Sequence, residues 1–151
     1  MLGARWDEIN LAERVWTIPG ARMKGGKEHR VPLSDAAMTI LEAMARLPVD
    51  EYVFPGRNGA LGHMAMSRVL AALRADVSVH GFRSTFRDWA AETTAYPREV
   101  AEMALAHAID NQAEAAYRRG DLFEKRRALM RDWAQRCAGG AVVQPLRRIG
   151  A

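Results

Sequence analysis

The chain has 151 residues, 22 Lys and Arg against 18 Asp and Glu, a net charge of +4, and 49% hydrophobic residues. That is enough for one domain with a real core and too little for two comfortable ones, and the composition is ordinary for a folded protein. A single cysteine, Cys137, excludes an internal disulfide and a cysteine zinc site, and no apolar run reaches the length that spans a bilayer. The opening residues "MLGARWDEIN" have neither the basic start nor the apolar stretch of a signal peptide. A cytoplasmic protein with a reduced thiol is the expectation. Basic clusters at 22–30, 118–131 and 147–148 lean toward an anionic partner, nucleic acid above all, although so small a surplus fits plain solubility equally well.

Taken in chain order, "LGARWDEI" has the look of an element being completed. Residues 13–19, "ERVWTIP", are β-branched and aromatic up to a proline and predict a strand. "RMKGGKEHRVPL" then predicts the return of a hairpin through a tight two-residue turn at Gly25-Gly26, with Lys24 and Lys27 projecting near its tip. Ser34 predicts the N-cap of a helix whose apolar stripe is Ala37, Ile40, Leu41, Met44 and Leu47. "DEYVFPGRNG" reads as a short strand and a turn, and residues 63–73 as a helix.

Beyond residue 63 the pattern is helical, with helices expected over 82–94, 97–107, 111–118 and 121–137. In the first of these, Phe82, Phe86 and Trp89 recur at helical spacing and predict the buried face. Pro97 sits where the first helical residue belongs, and Val100, Met103, Ala104 and His107 share a face. In the last, Phe123, Met130 and Cys137 repeat at seven with Leu122, Leu129 and Trp133 beside them, a helix expected to pack on its own core. Residues 138–151 have glycines, a proline and no periodicity, and are expected to form a loosely ordered tail.

The groups with chemistry to offer are Lys24, His80, Arg83, His107 and Tyr117. Each alone has a plain structural explanation: a solvated lysine, a histidine at either end of a helix, a packed tyrosine. Cutting a phosphodiester without a metal needs a nucleophile, a proton donor for the leaving oxygen, and cationic donors on the non-bridging oxygens. An arginine fork with a histidine beside it suits the last task, a mobile lysine the second, and a tyrosine with cationic neighbours the first.

In this order the residues "MKGGKEHRVPL", "HGFRSTFRDWAAE", "LAHA" and "EAAYRRGDLFEKRRALMRDWA" resemble the catalytic domain of the tyrosine recombinases, the phage integrase family, especially integrases of prophages and genomic islands. The family pattern is a lysine in a β-hairpin, His-x-x-Arg, Leu-Gly-His or similar, then a tyrosine about ten residues on. HGFR is weak by itself; HGFR, LAH and AYRR at these spacings are specific, and the match covers residues 2 to about 136.

The resemblance implies an α+β, mainly helical fold, with a small antiparallel sheet near the N-terminus packed on a helical bundle. It implies a catalytic domain over 1–137. Tyr117 would attack the scissile phosphate and join the DNA 3′ end, and Arg83 would clamp the non-bridging oxygens. His80 would assist proton transfer, His107 would donate to the same phosphate, and Lys24, with Lys27 as fallback, would protonate the leaving oxygen. No metal or other cofactor is implied. The partners would be double-stranded DNA at an attachment site and further copies in a tetramer, docked through the segment after the tyrosine. The family's second arginine, in an Arg-x-x-Glu pair, would fall immediately upstream of Met1, and neither Arg5 nor Arg14 stands in its place. The expected activity is therefore site-specific strand cleavage and rejoining. The alternative is an inactive remnant, lacking the helix that carries that arginine, which binds DNA or a full-length integrase.

Overall fold

A computed structural model describes residues 2–47, 50–57, 59–107 and 120–139. The fold is α+β, as expected. Strands β1 (Ile9–Asn10), β2 (Val15–Ile18) and β3 (His29–Pro32) form an antiparallel sheet in that order, with Trp16 opposite Ile9 on one side and Val31 on the other. A second, two-stranded ribbon pairs β4 (Pro55–Gly56) with β5 (Gly59–Ala60). The helices among the described residues are α1 (Asp35–Ala45), α2 (Ala65–Leu73), α3 (Gly81–Thr93), α4 (Arg98–Ala104) and α5 (Phe123–Ala138). The residues expected to form a helix over 111–118, Tyr117 among them, lie outside the described residues.

The N-terminal segment is an element completed by pairing. Ala4 accepts from the Val53 N–H at 2.9 Å, Trp6 donates to Glu51, and Arg5 bridges to Tyr52. This closes the first core: Ala4, Leu33, Met38, Leu41 and Val53 are buried, with Trp6, Trp16 and Met44 packed against them. Ser34 caps α1 as the sequence predicts, its hydroxyl accepting from the Ala37 N–H. The expected stripe needs one correction. Met38 and Leu41 are the buried pair, whereas Ile40 and Leu47 are 55% and 50% exposed. At 100° per residue Ile40 stands roughly 100° round the helix from Leu41, and Leu47 lies beyond the last helical residue, Ala45.

The hairpin also differs in detail from its expected form. The connection from β2 to β3 is not a two-residue turn but a folded loop containing a 3-10 turn at Gly20–Arg22. Gly26 does adopt a positive φ of 67°, and its N–H donates to the Met23 carbonyl at 2.9 Å, so Lys24 and Gly25 occupy the centre of the turn that follows. A Cβ on Gly20 would stand 2.4 Å from the Gly26 carbonyl oxygen, so the loop closes on itself only with glycine there. Arg22 ties the loop down, donating to the Gly3 carbonyl and to the Glu8 carboxylate.

The second core is built by α3, α4 and α5: Phe86, Ala90, Val100, Ala101 and Leu129 are buried, and Trp89 and Trp133 pack on them. Phe86 meets Trp133 edge-on at 5.3 Å between ring centroids. Phe82 shares the helix face of Phe86 and Trp89 but is 56% exposed, because in the first turn of α3 that face is not covered by α4 or α5. Within α5, Leu129 is fully buried and Met130 and Trp133 pack beside it, so the apolar stripe packs on its own core, while Cys137 is exposed.

Between the two cores stands one buried cation. Arg126, on α5, is 1% exposed. Its guanidinium donates to the Asp121 carbonyl at 2.7 Å, to the Arg30 carbonyl on β3 at 2.6 Å, and to the Asp121 carboxylate at 2.7 Å. Arg30 reaches the same carboxylate with two hydrogen bonds of 3.0 and 2.9 Å. Burial works against the Asp121 anion, but the hydrogen bonds from Arg30 and the charges of Arg126 and Arg30 hold its carboxyl below the usual range.

Helix α4 ends sooner than the periodicity predicts, and the manner of its ending matters for the site. Pro97 is its N-cap rather than its first helical residue. At the other end, Ala106 takes a left-handed φ of 54°. The Ala106 N–H donates to Met103 and the His107 N–H to Glu102, at 3.1 and 2.9 Å, the paired bonds of a Schellman turn. His107 therefore leaves the face it was expected to share with Val100 and turns back over the last helical turn.

Three outcomes are expected. Arg126→Met, which removes a buried guanidinium and deprives a half-buried carboxylate of one partner and two carbonyls of their donor, should lower unfolding free energy by about 3 kcal/mol in urea titrations. Asp121 has a depressed carboxyl, so its contribution is complete above the ordinary aspartate pKa of about 3.9 and is lost as pH falls through the lower folded value. Asp121→Asn should remove that part of the acid dependence, read by denaturation over a series of acidic pH values. Ala106→Gly, which relieves an L-residue of a left-handed conformation, should raise stability by up to about 1 kcal/mol.

Candidate active site

Helix α3 opens at His80, which holds the N-cap position with its own backbone helical and makes no side-chain cap. One turn on, the Arg83 N–H donates to the His80 carbonyl at 3.0 Å, so the two residues of the His-x-x-Arg pattern stand on adjacent turns of one face. Both are exposed, while Phe86 and Ala90 on the same helix are buried and fix its position.

Arg83 points at the end of α4. Its Nη2 donates to the Leu105 carbonyl at 2.6 Å and lies 2.8 Å from His107 Nε2. A guanidinium nitrogen can only donate, so Nε2 of the neutral ring is the acceptor and the ring hydrogen sits on Nδ1. Nδ1 is 2.6 Å from Glu102 Oε2, completing a chain from Arg83 through His107 to a carboxylate. Among the described residues, Nη2 alone of the Arg83 nitrogens makes hydrogen bonds, which leaves Nη1 and Nε as donors for a bound anion.

Glu102 is the centre of the local electrostatics. Its side chain is 15% exposed, and its Oε1 lies 3.0 Å from Arg87 Nε and 3.7 Å from Arg98 Nε. The Arg87 contact is an ion pair whose alignment falls short of a hydrogen bond. The hydrogen bond from His107 holds the Glu102 carboxyl below the usual range, against burial and with help from the charges of Arg87 and Arg98. Neither Glu102 nor Arg87 stands out in the sequence. The available signal is spacing: Arg87 lies one turn after Arg83, and Glu102 lies five residues before His107, the span a Schellman turn closes.

Lys24 is exposed in the β2–β3 loop and, among the described residues, makes no hydrogen bond or ion pair with His80, Arg83 or His107; Lys27 is also exposed. The loop nevertheless returns toward the site. His29, the first residue of β3, lies near enough to the Ala104 backbone at the end of α4 for that group to favour its protonated form. Burial, then the Arg126 charge, holds the His29 ring below the ordinary histidine range. Arg5 is engaged with Glu51 at 3.0 Å and Arg14 with Asp35, so both are occupied away from Arg83. Tyr117 lies outside the described residues. The arrangement thus brings Arg83 and His107 together, keeps His80 one turn away, and leaves two guanidinium nitrogens unengaged among the described residues. An exposed, mainly cationic cluster of this kind is suited to an oxyanion with several acceptor oxygens.

Comparison with known proteins agrees. The model of the phage integrase family matches residues 1–122. The chain is 41% identical over 137 residues to the prophage integrase IntA of Escherichia coli strain K12, covering 87% of this chain and 33% of that protein. It is 34% identical over 152 residues to the integrase of Enterobacteria phage P4, covering 87% and 35%. With the integrase of Shigella phage Sf6 it shares 32% over 137 residues, covering 86% and 35%. The chain spans about a third of the length of these relatives. No solved structure gives a significant match. With its motifs in family order and a family match over most of its length, the chain belongs to the phage integrase family.

Proposed function

We propose that this chain is the catalytic portion of a site-specific DNA recombinase that cuts and rejoins strands through a 3′-phosphotyrosyl intermediate. The observation that carries the reading is the contact between Arg83 and His107, two residues of separate motifs that meet at 2.8 Å with His80 one turn away. Arg83 Nη1 and Nε would take the non-bridging oxygens of the scissile phosphate. His107, whose Nδ1 hydrogen is committed to Glu102, would donate to the phosphate once Nε2 has taken up a proton, and the adjacent carboxylate offsets the charge this creates. His80 would assist proton transfer. Tyr117 would attack phosphorus through its phenolate oxygen, displacing the 5′ oxygen, which takes a proton from Lys24. The phosphodiester is conserved as a phosphotyrosyl ester, so the reaction needs neither a high-energy cofactor nor a metal.

Double-stranded DNA is the partner this reading requires, held through its phosphates and therefore with strong salt dependence. A cytoplasmic location and a tetramer on DNA belong to the same reading. The docking between copies would run through the C-terminal helix, whose Leu129, Met130 and Trp133 also pack on the second core of this chain.

A second reading is favoured by one observation. Arg5 and Arg14 are engaged by Glu51 and Asp35, which supports the reading that neither is the second clamp arginine. A chain that binds DNA, or a full-length integrase, without cutting fits that.

The two readings separate on a pool of nicked duplexes randomised around the nick. Catalysis predicts a covalent protein–DNA adduct that vanishes in Tyr117→Phe, and that falls by about 100-fold or more in Arg83→Ala and in Lys24→Ala while salt-sensitive binding persists. Binding with no adduct at any protein concentration overturns the enzyme reading and leaves the second.

A further inference from the structure

The carboxylate behind His107 enters the chemistry proposed above only by offsetting charge, yet among the described residues it is tied to three side chains, His107, Arg87 and Arg98. Glu102 touches His107 twice. Its backbone carbonyl accepts the His107 N–H at 2.9 Å, and its carboxylate accepts the ring Nδ1–H at 2.6 Å. The first contact sets where the His107 backbone leaves the helix, and the second sets how the ring is turned and which nitrogen carries the hydrogen. The other ring nitrogen then faces Arg83, as an acceptor at 2.8 Å. Arg87 and Arg98 stand on the far oxygen of Glu102, which keeps the carboxylate ionised and holds it in place from α3 and α4 together.

We propose that Glu102 is a positioning residue: before the phosphate arrives and Nε2 takes up its proton, it aims the Arg83 guanidinium through the neutral imidazole of His107, so that Nη2 stays on the protein and Nη1 and Nε are presented to the incoming phosphate. In water a neutral imidazole carries its hydrogen on either nitrogen, so the hydrogen bond made by one nitrogen selects the state of the other. Without an acceptor at Nδ1, the ring is free to carry its hydrogen on Nε2. That hydrogen would then point at Arg83 Nη2, donor against donor, and the contact that orients the guanidinium would be lost. Among the described residues, Leu105 would be left as the single hydrogen-bond anchor of Arg83. The depressed carboxyl of Glu102 agrees with a fixed anion at this position.

The inference rests on the recombinase reading for its consequence but not for its geometry, so two measurements test it separately. The first is the 15N spectrum of the histidine rings in the whole chain, with His107 assigned by its loss in His107→Gln. On the neutral ring, Nδ1 should be protonated and Nε2 unprotonated. Glu102→Leu should convert this to a mixture with substantial Nε2–H, whereas Glu102→Gln, whose amide oxygen still accepts, should retain the Nδ1–H form. An Nε2–H form in the unsubstituted chain, or an Nδ1–H form unchanged in Glu102→Leu, overturns the proposal. Because the unsubstituted chain already decides the first point, a misfolded Glu102→Leu does not spare it.

The second measurement is adduct formation on the nicked duplex pool. Glu102→Leu should slow it by about 10- to 100-fold with unchanged circular dichroism, and Glu102→Gln should restore most of the rate. Equal rates in all three chains overturn the positioning role. If the unsubstituted chain forms no adduct, the recombinase reading fails instead, and the ring spectra alone decide whether Glu102 sets the His107 tautomer.

Discussion

A guanidinium buried to 1% exposure cannot stand without compensation, and the demands of Arg126 organise the molecule around it. It satisfies them with one carboxylate and two carbonyls contributed by β3 and by the residues just before α5. The first core belongs to the sheet and α1, the second to α3, α4 and α5, two separate clusters among the described residues, and these polar contacts tie β3 to α5 between them. The geometry leaves little freedom. A guanidinium that has placed three directed bonds on two separated segments fixes their relative position more narrowly than dispersion contacts would. Arg30, stacked at 4.4 Å over Phe123 while holding Asp121 from the other side, adds a second strand-to-helix tie.

Two carboxylates hold described residues on either side of Tyr117 in the sequence: Asp121 is bonded to Arg30 and Arg126, and Glu102 to His107. The His29 ring feels both the Ala104 backbone at the end of α4 and the Arg126 charge. Sheet, helical core and candidate site are in this sense one mechanical unit, and the loop that carries Lys24 is attached to it through β3.

Much of the architecture was legible in the sequence because local rules act over a few residues. Ser34 caps α1, the β-branched run around Val15–Ile18 forms a strand, and Leu129 with Trp133 marks the buried stripe of α5. The misplaced details share one cause. Periodicity gives the direction of a face but not whether anything covers it, so Phe82, Ile40 and Leu47 have suitable spacing and remain exposed. The pair Gly25-Gly26 signals a turn, but the length of the whole connection depends on Gly20 closing against Gly26 and on Arg22 reaching Gly3 and Glu8.

The candidate site divides along the same line. The sequence by itself determined the family and the identities of Lys24, His80, Arg83, His107 and Tyr117 as candidates, because ordered motifs at set spacings are a property of the chain alone. It also determined that His80 and Arg83 lie one turn apart, because a helix repeats every few residues. Only the tertiary structure decided that α4 stops at Ala104 and turns His107 back through a left-handed alanine. That in turn let the imidazole meet an arginine 24 residues away and a carboxylate behind it. No pattern of residue types specifies this, since the contact joins separate helices whose relative placement is set by the shared core of Phe86, Val100 and Leu129.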